Sequence, residues 1–382
     1  MSSTGKPGYY IGLISGTSVD AIDCALIETG RSGTQLIAHH VGHFQGELRQ
    51  RILELCSNPH TSLLSLGELH VEIGQLFADC VTALLMQEGL SANQIVAIGS
   101  HGQTVFHHPY GEFGFSLQIG DPNTIAQRTG ITTVADFRQR DIVAGGQGAP
   151  LAPLFHQHFF HSPTRCRAIV NIGGMANITW LDEQQTGIPR GFDTGPGNVL
   201  MDGWIQRHLQ HNYDADGKWA ETGAVLPELL RQMLAEDYFS LPAPKSTGRE
   251  LFNLAWLDAH LIRAALAPTV APQDIQRTLL ELTAISISEA VESSRPINTD
   301  LPNDLLVCGG GAHNRYLMAR LQQLLPDFEV TSTQRFGLDP DWVEAATFAW
   351  LASQTLARQH FDSAVLTGAR SPVILGGVYY GK

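Results

Sequence analysis

The amino-acid sequence predicts an α/β protein built as two related domains, each a mixed sheet with helices, with a cleft between them. Three observations predict it. The chain has 382 residues, beyond the length at which one hydrophobic core usually stops growing. A glycine-centred β-hairpin of one design stands near the start of each half. Strand-like runs then alternate with helix-like ones, the order of a mostly parallel or mixed sheet. The boundaries read as 1–150 for a first domain, onto which about 359–382 can pack, and 151–358 for a second.

The first hairpin joins YYIGLIS (residues 9–15) to AIDCALIE (21–28), whose apolar and polar residues alternate like those of a half-buried strand. Apolar spacing over 63–89 predicts a helix closed by Gly89 as C-cap. IVAIGSHGQTVFHH (95–108) reads as a buried strand ending in a polar, glycine-bearing loop, and TTVADFRQRD (132–141) as a strand running into charged loop residues. GGQGAPLAPLFHQHFF (145–160) enters a helix through glycines and two prolines, which places the link between domains there. The second hairpin joins AIVNIG (168–173) to NITWL (177–181) through GMA. Further on come the strand DLLVCGGGAHN (304–314), a helix from about residue 316, and a long Ala-rich helix over 341–358.

Charge and cysteine usage exclude several classes. Against 24 basic residues stand 37 acidic ones, a net charge of -13, which argues against a nucleic-acid or anionic-membrane surface. The five cysteines are scattered and odd in number, with no Cys-x-x-Cys pair, so neither a disulfide framework nor a zinc ribbon is expected. MSSTGKPGYY has no signal-peptide core, and no uninterrupted apolar run approaches the roughly 18 residues that span a bilayer. A cytoplasmic protein is expected.

Several turns can carry chemistry. In ISGTSVDAID, Gly16, Thr17 and Ser18 can form a donor cluster for phosphate oxygens, with Asp20 and Asp23 near a metal; the alternative is an ordinary hairpin turn. NIGGMANIT, with Asn171, Gly173 and Gly174, has the same ambiguity, and two such turns could clamp one triphosphate. VCGGGAHN puts Gly309, Gly310 and Gly311 between a strand and a helix, where backbone can approach a flat ring or a phosphate, or simply turn tightly. Neither G-x-G-x-x-G nor a Walker A loop is present: among only four lysines, Lys245 follows Pro244. In GFDTGPGN, Asp193 precedes glycines and a proline that force an exposed turn, so it is either a catalytic carboxylate or a partner of its own turn. His101, Gln103 and Thr104 offer sugar-sized hydrogen-bond partners, and Arg138 with Asp141 a carboxylate- or hydroxyl-binding pair, unless Arg138 makes a surface ion pair. Glu344 is a polar-face or a functional carboxylate. His156, His158 and His161 lack the i, i+4 spacing of a zinc helix.

Together, SGTSVDAID, GSHGQTVFHHP, QIGDPNTIA, TVADFRQRDIVAGGQGAPLAP, NIGGMANIT, FDTGPGN, PKSTGRELFN, VCGGGAHN and the EAATFAWLA helix resemble the anhydro-N-acetylmuramic acid kinase family, in order from about residue 10 to about 358. Ala21 stands where that family commonly has Gly. The resemblance implies an actin-like ATPase or ribonuclease H-like fold that closes over ATP and Mg²⁺. It implies a kinase that adds water across the 1,6-anhydro bridge of 1,6-anhydro-N-acetylmuramic acid and phosphorylates the freed 6-hydroxyl during peptidoglycan recycling. It further implies Asp193 as the base that activates the water, with His101, Gln103, Thr104, Arg138, Asp141 and Glu344 toward the sugar. Gly16, Thr17, Ser18, Val19, Asp20, Ala21, Ile22, Asp23, Asn171, Gly173, Gly174, Gly309, Gly310, Gly311 and Asn314 would face the nucleotide. A homodimer, with no nucleic acid or membrane partner, is the implied state. A conventional sugar kinase and an ATP-switched binding protein are the competing readings; a chaperone ATPase would need a peptide-binding segment that the motifs leave no room for.

Overall fold

The computed structural model describes residues 7–16, 19–30, 33–58, 60–181, 189–264, 270–296 and 301–382. In chain order the strands are β1 (Gly8–Ser15), β2 (Ala21–Gly30), β3 (Gly33–His43), β4 (Ile95–His108), β5 (Phe115–Ile119), β6 (Thr133–Ala135), β7 (Cys166–Ile172), β8 (Met175–Trp180), β9 (Arg190–Pro196), β10 (Asn303–Cys308), β11 (Phe328–Ser332) and β12 (Gly377–Tyr379). The chain divides into two compact units, Met1–Phe159 with Trp342–Lys382, and Phe160–Asp341.

The first unit holds a sheet in the order β12-β6-β4-β1-β2-β3, with β5 beside β4. Strands β1, β2 and β3 form an antiparallel meander, whereas β1 pairs in parallel with β4 and β4 with β6. The second unit repeats this in the order β11-β10-β7-β8-β9, with an antiparallel meander β7, β8, β9 and parallel pairs β7–β10 and β10–β11. Parallel neighbours need a crossover, and helices supply it at matching places. They are Leu63–Glu88 and Pro122–Thr129 in the first unit, and Pro272–Ser294 and Arg315–Leu324 in the second. The duplication signalled by the two hairpins therefore extends to the whole sheet.

Each unit has its own core. In the first, Ile11, Leu13, Leu26 and Ile98 pack with Phe77 and Val81 of the Leu63–Glu88 helix. Gly89 caps that helix at φ 65, a left-handed conformation cheap for glycine. The helix has the length and apolarity to cross a bilayer, although the reading of uninterrupted runs expects no such segment; half of its most apolar window is buried in the unit. In the second unit, Val170, Ile178, Leu305 and Val307 pack with Leu279, Leu282 and Ile287 of Pro272–Ser294. All five cysteines are free, and all but Cys56 are buried.

Three elements differ from their sequence reading. The Val343–Leu356 helix, assigned to the second domain, belongs to the first unit. Two glycines explain why: a Cβ on Gly12 of β1 would stand 1.8 Å from the Ala345 carbonyl oxygen, and one on Gly99 of β4 would stand 1.9 Å from that of Phe348. Bare backbone on both central strands thus lets the helix settle directly on the sheet. The GSHGQT segment does not leave the strand but is part of β4, because Gly102 at φ 77 lets Ile119 of β5 approach closely. Residues after Asp136 form the short helix Phe137–Val143 rather than a loop, with Phe137, Asp141 and Ile142 on its buried side. Its charged residues hide that helical spacing.

Candidate active site

In the first unit, Nε–H of Arg138 donates to Nε2 of His101 at 2.7 Å, and Nη1 donates to the Gly148 carbonyl at 3.0 Å. Nδ1 of His101 lies 3.0 Å from the Gly102 carbonyl. Since Nε2 accepts, the ring proton sits on Nδ1 and is donated to Gly102. Burial and then the Arg138 charge hold His101 well below the usual imidazole range, so it is neutral. Glu344 reaches solvent from the first turn of the Val343–Leu356 helix, yet the surrounding protein strips enough water to raise its carboxyl, with Arg138 opposing. Burial lowers Arg138 in turn, while Glu344 and Asp141 hold it up. His101, Arg138 and Glu344 are thus one coupled group.

Asp141 and Gln103, both expected at the sugar, are not presented to a ligand. Asp141 is 0% exposed: Oδ1 accepts from the hydroxyls of Ser363 at 2.6 Å and Thr367 at 2.8 Å, and Oδ2 accepts from the Gly148 N–H at 2.8 Å. A carboxylate with both oxygens satisfied internally is a staple. Here it fixes Gly148, whose carbonyl fixes Arg138. Gln103 is also wholly buried, and its amide donates to the Thr104 carbonyl at 3.1 Å. Thr104 is half-buried, with its hydroxyl accepting from Gln118 at 3.1 Å. Ser100, His101, Gly102, Gln118, Asp121 and Tyr379 line part of a recess of about 120 Å³ in this unit.

At the β1–β2 turn, Thr17 and Ser18 lie outside the described residues. The Val19 N–H closes the turn on the Gly16 carbonyl at 3.1 Å. Val19 holds φ 54, a costly conformation for a β-branched residue. Arg49 braces it, donating to the Val19 carbonyl at 2.9 Å and to Asp20 at 2.7 Å. Val19 and Ile22 are buried in the core, so their side chains cannot meet a nucleotide as expected; only their backbone can. Ala21 opens β2 opposite His43 and, unlike Val19, has no positive φ, so its methyl adds no backbone strain. Asp23, half-buried, pairs across from Ile14.

In the second unit, the N–H groups of Gly197, Asn198 and Val199 donate to the Gly173 and Gly174 carbonyls at 2.8–3.1 Å, which fixes the β7–β8 turn on the start of the Val199–Leu209 helix. A Cβ on Gly173 would meet nothing nearer than 3.6 Å, and one on Gly174 would lie 3.8 Å from Nη2 of Arg249. This turn is therefore open, with a guanidinium beside it. The three glycines after β10 divide differently. Gly309 and Gly311 are required by the fold, since a Cβ there would stand 2.3 Å from Oδ1 of Asn171 and 2.4 Å from Ile172 respectively, whereas Gly310 is exposed and open. Asn171, next to last in β7, stands opposite Asn177 of β8 and Cys308 of β10. Asn314 is largely spoken for, because its side-chain oxygen caps the Arg315–Leu324 helix at the Leu317 N–H, 3.0 Å away.

Asp193 lies in the middle of edge strand β9 rather than at its end, and the glycines and proline expected to turn the chain out continue the strand to Pro196, beside a register shift opposite Ala176 and Asn177. The segment after Tyr238 holds it from several sides. The Asp193 N–H donates to the Lys245 carbonyl at 3.0 Å, and the Asp193 carbonyl accepts from the Tyr238 hydroxyl at 2.6 Å. Oδ2 accepts from the Ser246 hydroxyl at 2.8 Å and the Thr247 N–H at 3.0 Å. Burial raises the carboxyl above the usual aspartate range; those two hydrogen bonds oppose it, and Glu250 adds to it. The outcome is a half-buried carboxylate with one oxygen anchored and an elevated pKa, suited to accept a proton.

Sequence reasoning missed Arg49, Tyr238, Ser246, Thr247 and Arg249. The signal for the last three was present in PKSTGR, whose lysine was weighed only as a P-loop residue. Among the described residues no group of three or more His, Cys, Asp or Glu side chains could hold a metal. Mg²⁺ needs no such group, since it would be carried mainly by phosphate oxygens and water with one or two carboxylates. Burial pushes His156 down to about 3 and His158 down to about 4, as packed histidines of the first unit.

The family model for anhydro-N-acetylmuramic acid kinase matches residues 8–381. A relative of that name in Pasteurella multocida is 49% identical over 97% of this chain and 96% of its own. Relatives of the same name in Vibrio cholerae and Coxiella burnetii are each 48% identical, over 97% and 98% of this chain and 98% of theirs. Among solved structures, a ROK family glucokinase from Streptomyces griseus, in complex with glucose and AMPPNP, aligns with a TM-score of 0.40 and 14% identity over 91% of this chain and 100% of that one.

Proposed function

The chain belongs to the anhydro-N-acetylmuramic acid kinase family, and from that premise we propose that Asp193 is its catalytic base. The reaction of the family consumes ATP, opens the 1,6-anhydro bridge of 1,6-anhydro-N-acetylmuramic acid with water and phosphorylates the 6-hydroxyl, giving N-acetylmuramic acid 6-phosphate and ADP in peptidoglycan recycling. Water attacks the anomeric carbon and breaks its bond to O6, while Oδ1 of Asp193 takes the proton of the water. An O6 alkoxide is a poor leaving group in water, but here O6 takes the γ-phosphoryl group as ADP departs. Phosphoryl transfer of this kind asks the protein for positioning and charge more than covalent help. The observation that carries the assignment is the Asp193 carboxylate, anchored among the described residues through Oδ2 and raised in pKa by burial.

We assign the remaining roles from the family's motifs, unit by unit. His101, Arg138, Glu344 and Thr104 orient the sugar, with neutral His101 held by Arg138. The turns around Gly16 and at Gly173 and Gly174 are the phosphate-binding turns in this reading, the second being open at Gly174, and Gly310 leaves room beside it. Arg249, beside Gly174, supplies the cation that a P-loop lysine supplies elsewhere. Asp20 and Asp23 would help to hold Mg²⁺, which when bound neutralises phosphate charge. The acidic balance of the chain argues against nucleic-acid or anionic-membrane partners, and we assign it to the cytoplasm and as a homodimer, the latter to be checked by light scattering. ADP release measured with and without the anhydro-sugar tests the function: release should require the sugar, and equal release without it would overturn the reading.

A further inference from the structure

The catalytic carboxylate stands on a strand that is at the edge of its sheet among the described residues, so that no described strand secures its outer backbone groups. Free to rotate, an aspartate there could offer either oxygen to water, at a cost in orientation. The segment running from Tyr238 to Thr247 removes that freedom. Its Lys245 carbonyl receives the Asp193 N–H, its Tyr238 hydroxyl donates to the Asp193 carbonyl, and Ser246 and Thr247 both donate to Oδ2. The segment is itself tied down: the Lys245 ammonium donates at 3.0 Å to the carbonyls of both Tyr238 and Phe239 and lies 4.8 Å from the centre of the Tyr238 ring. All these contacts fall within the second unit.

We propose that residues 238–247 form a positioning clamp that selects Oδ1 of Asp193 as the proton acceptor, with Ser246 as the side chain that sets the carboxylate's orientation. This rests on the reading of Asp193 as base. Lys245 acts as the internal tie of the clamp, which gives one of only four lysines in the chain a structural duty. Ser246 and Tyr238 are positioning residues, because they act through Asp193 and not on the sugar.

The groups around Asp193 set the sign of the test. Ser246 and Thr247 stabilise the charged carboxylate, Glu250 and burial destabilise it, and Tyr238 and Lys245 engage its backbone neighbourhood. Removing the Ser246 hydroxyl takes away one stabilising donor, so the carboxyl titrates at higher pH and its active, deprotonated form appears later as pH rises. Ser246 is exposed, so Ser246→Ala leaves packing intact.

The experiment is the pH profile of kcat/KM for the anhydro-sugar in the full-length Ser246→Ala, Ser246→Thr and Tyr238→Phe variants, alongside Asp193→Asn. We expect Ser246→Ala to move the acidic limb up by roughly one pH unit and to lower kcat about tenfold at the plateau. KM for ATP should stay unchanged, and Ser246→Thr should restore both the limb and kcat. Tyr238→Phe, which keeps the ring, should lower kcat with little movement of the limb. An unmoved limb together with kcat within twofold of the parent in Ser246→Ala would overturn the clamp, as would failure of Ser246→Thr to rescue. An active Asp193→Asn would instead overturn the base assignment, so the two failures are distinguishable.

Discussion

The imidazole of His101 accepts a hydrogen bond through Nε2 from Nε of Arg138 at 2.7 Å, and this contact fixes the ring as neutral with its proton on Nδ1. A protonated ring would set two donors against each other. His101 should therefore show no titration between pH 5 and 8 in ¹⁵N NMR of the ring nitrogens, where an ordinary histidine would titrate near 6.5. A midpoint in that window would mean that the Arg138 contact is not maintained.

Neutral buried histidines also make the fold sensitive to acid. His101, His156 and His158 all lie in the first unit with pKa values pushed down, chiefly by burial. Below about 6.5 the unfolded chain binds protons that the folded one refuses, so stability falls as pH drops from there toward the folded values. Each such residue costs about 2 kcal/mol by pH 5. Urea unfolding at pH 7 and pH 5 should show this loss, and His156→Gln should remove one histidine's share. An identical pH dependence in His156→Gln would contradict the buried, neutral state.

Asp141 and Arg138, paired in the sequence reading, do different jobs. Asp141→Asn leaves two of three internal donors facing a weaker acceptor and should destabilise the protein by about 2–3 kcal/mol. The effect on KM for the sugar should be small. A KM raised tenfold with unchanged stability would return Asp141 to the substrate site.

Glycines of the chain separate into those the fold needs and those a ligand needs. Gly12→Ala drives a methyl into the Ala345 carbonyl and should cost about 3 kcal/mol or more, read from the urea midpoint. Gly310→Ala meets only Asn198 at 3.5 Å, so its stability should be unchanged while KM for ATP rises. The reverse pattern would mean that the open glycine is structural.

Both hairpins, the long helices and the duplicated α/β plan are legible in the sequence because they rest on local periodicity and turn chemistry. Placement of the Val343–Leu356 helix is not legible: it depends on glycines 12 and 99, more than two hundred residues away, whose small size matters only once the strands lie side by side. In the site, Asp193 and His101 stand out as polar residues among glycines. The status of Asp141 is hidden, because burial by Ser363 and Thr367 is a long-range fact. The grip of Ser246 and Thr247 on Asp193 is hidden for the same reason, although the residues themselves sit in a visible motif.

The most direct test is the steady-state turnover of Asp193→Asn with ATP and 1,6-anhydro-N-acetylmuramic acid. An asparagine keeps an oxygen for Ser246 and Thr247 but takes no proton, so the variant should fold, bind ATP with parental affinity and lose kcat by about a thousandfold. Turnover within tenfold of the parent would contradict the assignment of Asp193 as the base.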